Sequence, residues 1–118
     1  MLHRQIAQKA IDRANFIIKT SQKFKIGKTG QTTKARFNSD YRTYFEKIER
    51  IYRSKDKSLV NDLESTLTTF FKGHPKNFNL KEGNAGKMTD ENGYYILYIV
   101  FTPDKSIIET ILDRFRKN

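Results

Sequence analysis

Eleven basic residues lie between Lys23 and Lys57 (Lys23, Lys25, Lys28, Lys34, Arg36, Arg42, Lys47, Arg50, Arg53, Lys55 and Lys57). Only Asp40, Glu46, Glu49 and Asp56 oppose them, so the stretch carries a net +7 out of +10 for the whole chain. Such a segment attracts phosphate backbones by counterion release, whatever their base sequence. A solvated charged surface has the same composition, but here Phe24, Phe37, Tyr41, Tyr44, Phe45 and Tyr52 are interleaved with the cations. Aromatic rings among cations add stacking to charge, and the expected partner is a nucleic acid. Gly27-Lys28-Thr29 looks at first like part of a nucleotide phosphate loop. The P-loop spacing requires a glycine where this chain has Gln22, which excludes that reading.

Other chemistries are closed off by composition. The chain has no cysteine, so it carries no disulfide, thiol nucleophile or Cys-ligated zinc. Its two histidines, His3 and His74, stand at no metal-ligand spacing, and His74 beside Pro75 reads as a helix-end residue. No apolar run is long enough to span a bilayer, and the first residues lack the apolar stretch of a signal peptide. An intracellular, cytoplasmic or nucleoid-associated protein is expected, with no membrane partner.

These residues must be positioned by a small fold. With 118 residues there is room for one domain and one core, in which nine Phe and six Tyr supply much of the buried area. Leu2, Ile6, Ala10 and Ile11 form a helical stripe over residues 2–14. Phe16-Ile17-Ile18 and Phe24 to Gly27 then read as two strands of a hairpin around a polar turn, followed by a Gly- and Thr-rich loop to Thr33. Thr32 or Thr33 can cap a short helix carrying Ala35, Arg36 and Phe37.

Residues 46–53 fit a strand with imperfect alternation, with a helix as the alternative. Asp56 or Ser58 opens a helix whose apolar face is Leu59, Val60, Leu63, Leu67, Phe70 and Phe71, and Gly73-His74-Pro75 stops it. Residues 76–93 read as a long loop or partial hairpin. Tyr94 to Phe101 is the strongest strand signal, and its tyrosines Tyr94, Tyr95 and Tyr98 are expected to alternate into the core. Thr102-Pro103-Asp104 opens a last helix whose buried side would be Ile107, Ile108, Ile111, Leu112 and Phe115. The expected fold class is α/β (α+β): a small mixed or antiparallel sheet of three to four strands flanked by helices, ordered α-ββ-α-β-α-β-α.

Read together, Phe16 to Asn79 resembles the GIY-YIG nuclease superfamily. Ala14-Asn15-Phe16 stands where Gly-Ile-Tyr would be, and Lys25-Ile26-Gly27 where Tyr-Ile-Gly would be, as in a branch that carries Lys-Ile-Gly. Arg36 follows nine residues after the glycine, Leu63-Glu64 looks like the metal-binding helix, and Asn77 or Asn79 lies beyond it. The resemblance implies a core over about residues 15–80, with the first helix and the last strand-helix pair as additions. It also implies a metal-dependent endonuclease acting on DNA. Glu64 would bind Mg²⁺ or Mn²⁺, Arg36 would clamp the scissile phosphate, and Lys25 would act as base or phosphate contact. Tyr41, with Tyr44 in reserve, would stand where the family often places a His or Tyr. Lys23, Lys28, Lys34, Arg42, Asn77 and Asn79 would contact nucleic acid. Phe16 has no hydroxyl, which leaves the first tyrosine's role missing or supplied elsewhere. The alternative is a nucleic-acid-binding module on the same fold that has lost catalysis. A domain this small would cut with low selectivity, form a homodimer or rely on a targeting partner.

Overall fold

The computed structural model describes residues 2–30, 32–78 and 93–116. Among these residues four helices and three strands alternate: α1 (Leu2–Lys19), β1 (Ser21–Thr29), α2 (Thr33–Arg36), β2 (Lys47–Ser54), α3 (Lys57–Phe70), β3 (Tyr95–Pro103) and α4 (Lys105–Arg116). A wide π-helical turn over Phe37–Tyr41 continues α2. The strands form one antiparallel sheet in the order β1-β3-β2. The α+β class expected from the sequence is the one observed. Among the described residues, no helix is long and apolar enough to cross a membrane.

The topology differs from expectation at the N-terminus. Phe16-Ile17-Ile18 is not a strand but the last turn of α1, and no hairpin precedes Gly27. The reason lies in the helical period. Ala10, Ala14 and Ile18 continue one i, i+4 stripe and are buried at 4% exposure or less, while Phe16 points away, 66% exposed. A strand through these residues would bring Phe16 and Ile18 to the same face. Ser21 and Thr20 close the helix by donating their hydroxyls to the Ile17 carbonyl. The segment aligned with Gly-Ile-Tyr is therefore helical, and β1 runs on through Lys28 and Thr29, where the sequence composition predicts a loop.

β3, the strongest strand signal in the sequence, is the central strand of the sheet. Every residue from Ile96 to Thr102 is buried, because both faces of the strand are covered. On one face Phe24, Ile26, Ile51, Leu97, Ile99 and Phe101 meet α1 and α3 through Ala14, Ile18, Val60, Leu63 and Leu67. On the other, Ile96, Tyr98 and Val100 meet Tyr41 and Phe45, with Phe37 and Ile48 at the margin. The first face holds the main core; among the described residues, the second is covered by α2, the π-turn and Phe45 just beyond it.

The caps expected at Thr32 and Asp56 are present, accepting from the backbone N–H of Ala35 and Leu59. Beyond α3, residues 76–78 return alongside β1: Phe24 N–H donates to the Lys76 carbonyl and Phe78 N–H to that of Phe24. The last helix departs from expectation. Its apolar side is not buried, since Ile111, Leu112 and Phe115 are 37%, 44% and 75% exposed. Asp104 caps it, and among the described residues no other element covers it extensively. Sequence periodicity identifies an amphipathic helix but not the presence of a surface to bury it.

Candidate nucleic-acid interface

The second sheet face is organised by a glycine. Gly27 on β1 pairs with Tyr98 on β3, and a methyl group at Gly27 would lie 2.5 Å from Tyr98 Cζ and 2.9 Å from Cε1. The missing side chain lets the Tyr98 ring lie across β1. Its hydroxyl then sits 2.7 Å from that of Tyr41, which the π-turn turns onto the sheet. Arg36 Nε donates to the Tyr98 hydroxyl at 3.4 Å, and its Nη1 meets Asp40 one turn later at 2.7 Å. The Arg36 guanidinium lies 5.8 Å from the centre of the Tyr41 ring, and Lys25 Nζ lies 5.6 Å from the same ring. Two tyrosines, an aspartate and a backbone turn thus aim one arginine, whose side chain is 29% exposed. A guanidinium fixed this way loses little freedom when it binds a phosphate.

Burial pushes the Tyr98 hydroxyl well above the ordinary tyrosine pKa, helped by Tyr41 and opposed by Arg36. Burial works against the Arg36 charge, but the bond to Tyr98 and the nearby Tyr41 and Asp40 outweigh it. Tyr98 is therefore a proton holder that positions Arg36 and not a base. A raised folded-state pKa contributes stability that is fully present below pH 10, the ordinary value, and is lost as pH climbs above it. The slope is about 1.4 kcal/mol per pH unit for one proton. Tyr98→Phe should remove that part of the alkaline destabilisation at a cost near neutral pH of about 1 kcal/mol, read from thermal unfolding between neutral and alkaline pH. An unchanged alkaline limb in the variant would show that Tyr98 is not the group responsible.

Strand register places further cations on this face. Lys23 and Lys25 share a side of β1 with Gly27, while Arg50 and Arg53 pair with Tyr98 and Ile96 and point the same way. Lys23 Nζ lies 5.2 Å from the Phe45 ring and 5.5 Å from that of Phe78. Phe78 and Tyr44 present rings that are 52% and 67% exposed. Lys34 and Arg42 are exposed on α2 and just after the π-turn. Part of the charge run noted in the sequence therefore shares one face, with exposed aromatics at its margin, while Lys28 and Lys47 fall on the other side of the sheet.

Lys25, Arg36 and Tyr41 are brought together as the sequence suggested. Glu64 is not with them. It is 1% exposed under α3, on the face of Phe24 and Ile26, with Lys28 Nζ 3.6 Å from its Oε1. Lys28, a proposed phosphate contact, is committed to that pair and is itself only 13% exposed. The Mg²⁺ or Mn²⁺ site implied by the resemblance does not fit this arrangement. Its single carboxylate is enclosed, already faces an ammonium, and is separated from Arg36 by the sheet. Among the described residues no three His, Cys, Asp or Glu side chains gather to hold a metal ion.

Asn77 is a brace, donating to the Phe71 carbonyl at 3.0 Å. Asn79 lies outside the described residues. His74 packs against the Phe24 ring, and its Nδ1 accepts from Lys76 N–H. The residue missed as functional is Tyr98, read from the strand pattern as core. It is core by burial, but its hydroxyl bonds Tyr41 and Arg36 on this face. Only the opposition of Tyr98 to Gly27 reveals this, and that pairing spans most of the chain. Compared with known protein families, curated proteins and solved structures, the chain matches none.

Proposed function

We propose that this protein is a nucleic-acid-binding module whose backbone-contacting surface is the sheet face carrying Arg36. The observation that carries the reading is the fixed Arg36, held by Tyr98, Tyr41 and Asp40 amid Lys23, Lys25, Arg50 and Arg53 on one face. Cations on one surface release counterions together, so affinity should fall steeply with salt. Fixing one of them in a planar fork sets the register of the strand.

Metal-dependent hydrolysis of DNA, the activity implied by the GIY-YIG resemblance, would need Glu64 and Arg36 at the same phosphate. Their positions on opposite sides of the sheet support binding over cleavage. The test is incubation of purified protein with supercoiled plasmid, with Mg²⁺ or Mn²⁺ and with EDTA, beside gel-shift titrations. Salt-sensitive binding without metal-dependent nicking is expected, with Lys28→Met/Glu64→Leu, which leaves no unpaired buried charge, keeping the shift intact. Nicking that requires metal and vanishes in both Glu64→Ala and Arg36→Ala would establish the nuclease instead.

A further inference from the structure

On the β2 side of α2 the same sheet face opens into a groove of about 580 Å³. Its floor includes Ile48 and Ile96, and its walls include Arg13, Arg50, Arg53 and Tyr94. Arg53 Cζ lies 3.6 Å from the centre of the Tyr94 ring, a contact distance that sets the guanidinium against the ring. Lys55 Nζ approaches the same ring at 5.2 Å. Arg13 is tied down by Glu49 at 3.1 Å and by the Arg50 carbonyl at 3.2 Å. Among the described residues, neither Arg50 nor Arg53 has a carboxylate partner, so the groove keeps unneutralised positive charge.

A groove of this size suits a nucleotide-sized group, and its chemistry is divided in a way that suits one as well. Guanidinium groups on the walls answer a phosphate. A guanidinium plane backed by a ring, above an apolar floor, answers the flat face of a base. In a duplex those faces are covered by neighbouring base pairs and only edges reach the grooves. A duplex on this surface would leave the floor and the Arg53 plane bare.

We propose that this groove is a subsite for an unpaired nucleotide of a single strand, its base against Arg53 and the Ile48–Ile96 floor and its phosphate on Arg50. This rests on the reading of the face as a nucleic-acid interface and adds that the preferred form is single-stranded. The stacked Arg53–Tyr94 pair is the specific element, since surface charge alone attracts single and double strands alike.

The test is fluorescence anisotropy with a labelled single strand of about 12 nucleotides, within the usual site sizes of single-strand binders, and with the corresponding duplex. Wild type is compared with Arg53→Lys, which keeps the charge and loses the plane, and with Tyr94→Leu, which removes the backing ring; thermal melts verify folding. Both variants should weaken single-strand binding roughly tenfold, the scale of one lost base stack, and duplex binding by a much smaller factor. Arg53→Lys should leave the salt slope unchanged, because the charge remains. Equal losses on both forms, or no loss on either, would overturn the subsite. Displacement of the strand by stoichiometric free mononucleotide would assign the groove to a free nucleotide and overturn the single-strand assignment. Wild-type protein that binds neither form would instead remove the interface reading, and the subsite with it.

Discussion

Lys28→Met is expected to cost about 3–5 kcal/mol of folding stability. Lys28 and Glu64 are 13% and 1% exposed, and the ammonium stands 3.6 Å from the carboxylate beneath α3. Taking away the cation leaves the buried Glu64 carboxylate without its ammonium, on the side of the sheet that holds the main core. That loss exceeds anything expected of an exposed pair, whose worth is about 0–1 kcal/mol. Lys28→Met combined with Glu64→Leu should recover most of it, because no charge then remains to be desolvated. Urea titration reads both values through the midpoint at constant slope. A loss below about 1 kcal/mol in the single variant would mean that Glu64 is reached by water and free to act as a ligand. The double variant should also keep its affinity for nucleic acid, since the pair lies on the face away from Arg36.

Gly27→Val should cost about 3 kcal/mol, at the upper end for overpacking a filled site, and should weaken nucleic-acid binding. Strand propensity alone predicts the opposite, because valine favours strands and glycine does not. The native position leaves no room: even a single added carbon would lie 2.5 Å from Tyr98 Cζ. Tyr98 cannot swing aside cheaply, being 1% exposed and bonded to Tyr41 and Arg36. The sign of the effect therefore separates packing from propensity. Tyr98→Ala placed in the Gly27→Val background opens the space the valine needs, so the two losses should be strongly less than additive. Additive losses would show that Gly27 is needed for its backbone and not for the ring above it.

The sequence disclosed what is local. The caps at Thr32 and Asp56, the stripe of α3 and the apolar run of β3 each follow from neighbours within a turn or a strand, and each is observed. Phe16-Ile17-Ile18 misled because three β-branched or aromatic residues in a row satisfy a strand template. The burial of Ala14 and Ile18 against α3 and the sheet extends the helix through them. Helix α4 misled in the other direction, its amphipathic pattern carrying no information about whether a partner surface exists.

The candidate site was legible in part for the same reason. Arg36 and Tyr41 sit five residues apart on one helical turn, and Lys25 lies on the strand just before them, so their meeting follows from local structure. Glu64 lies in the Leu-Glu context expected for a metal ligand, yet the side of the sheet it faces is set by α3 packing beside α1. Tyr98 joins Gly27 only through a pairing across the sheet, and Arg53 meets Tyr94 only when β2 and β3 are adjacent. Contacts at such separation leave no spacing to read.

The central claim, that the face carrying Arg36 is the nucleic-acid surface, is most directly tested by the salt dependence of binding in two charge-matched variants. One, Lys25→Ala/Arg36→Ala/Arg50→Ala, removes cations from that face; the other, Arg4→Ala/Lys9→Ala/Lys57→Ala, removes as many from exposed positions on α1 and α3. The first should lower the slope of log K against log[salt] by about 3 in magnitude and the affinity accordingly, while the second stays near wild type. Equal losses in the two variants would show that binding follows net charge alone, and would contradict the assignment of the interface.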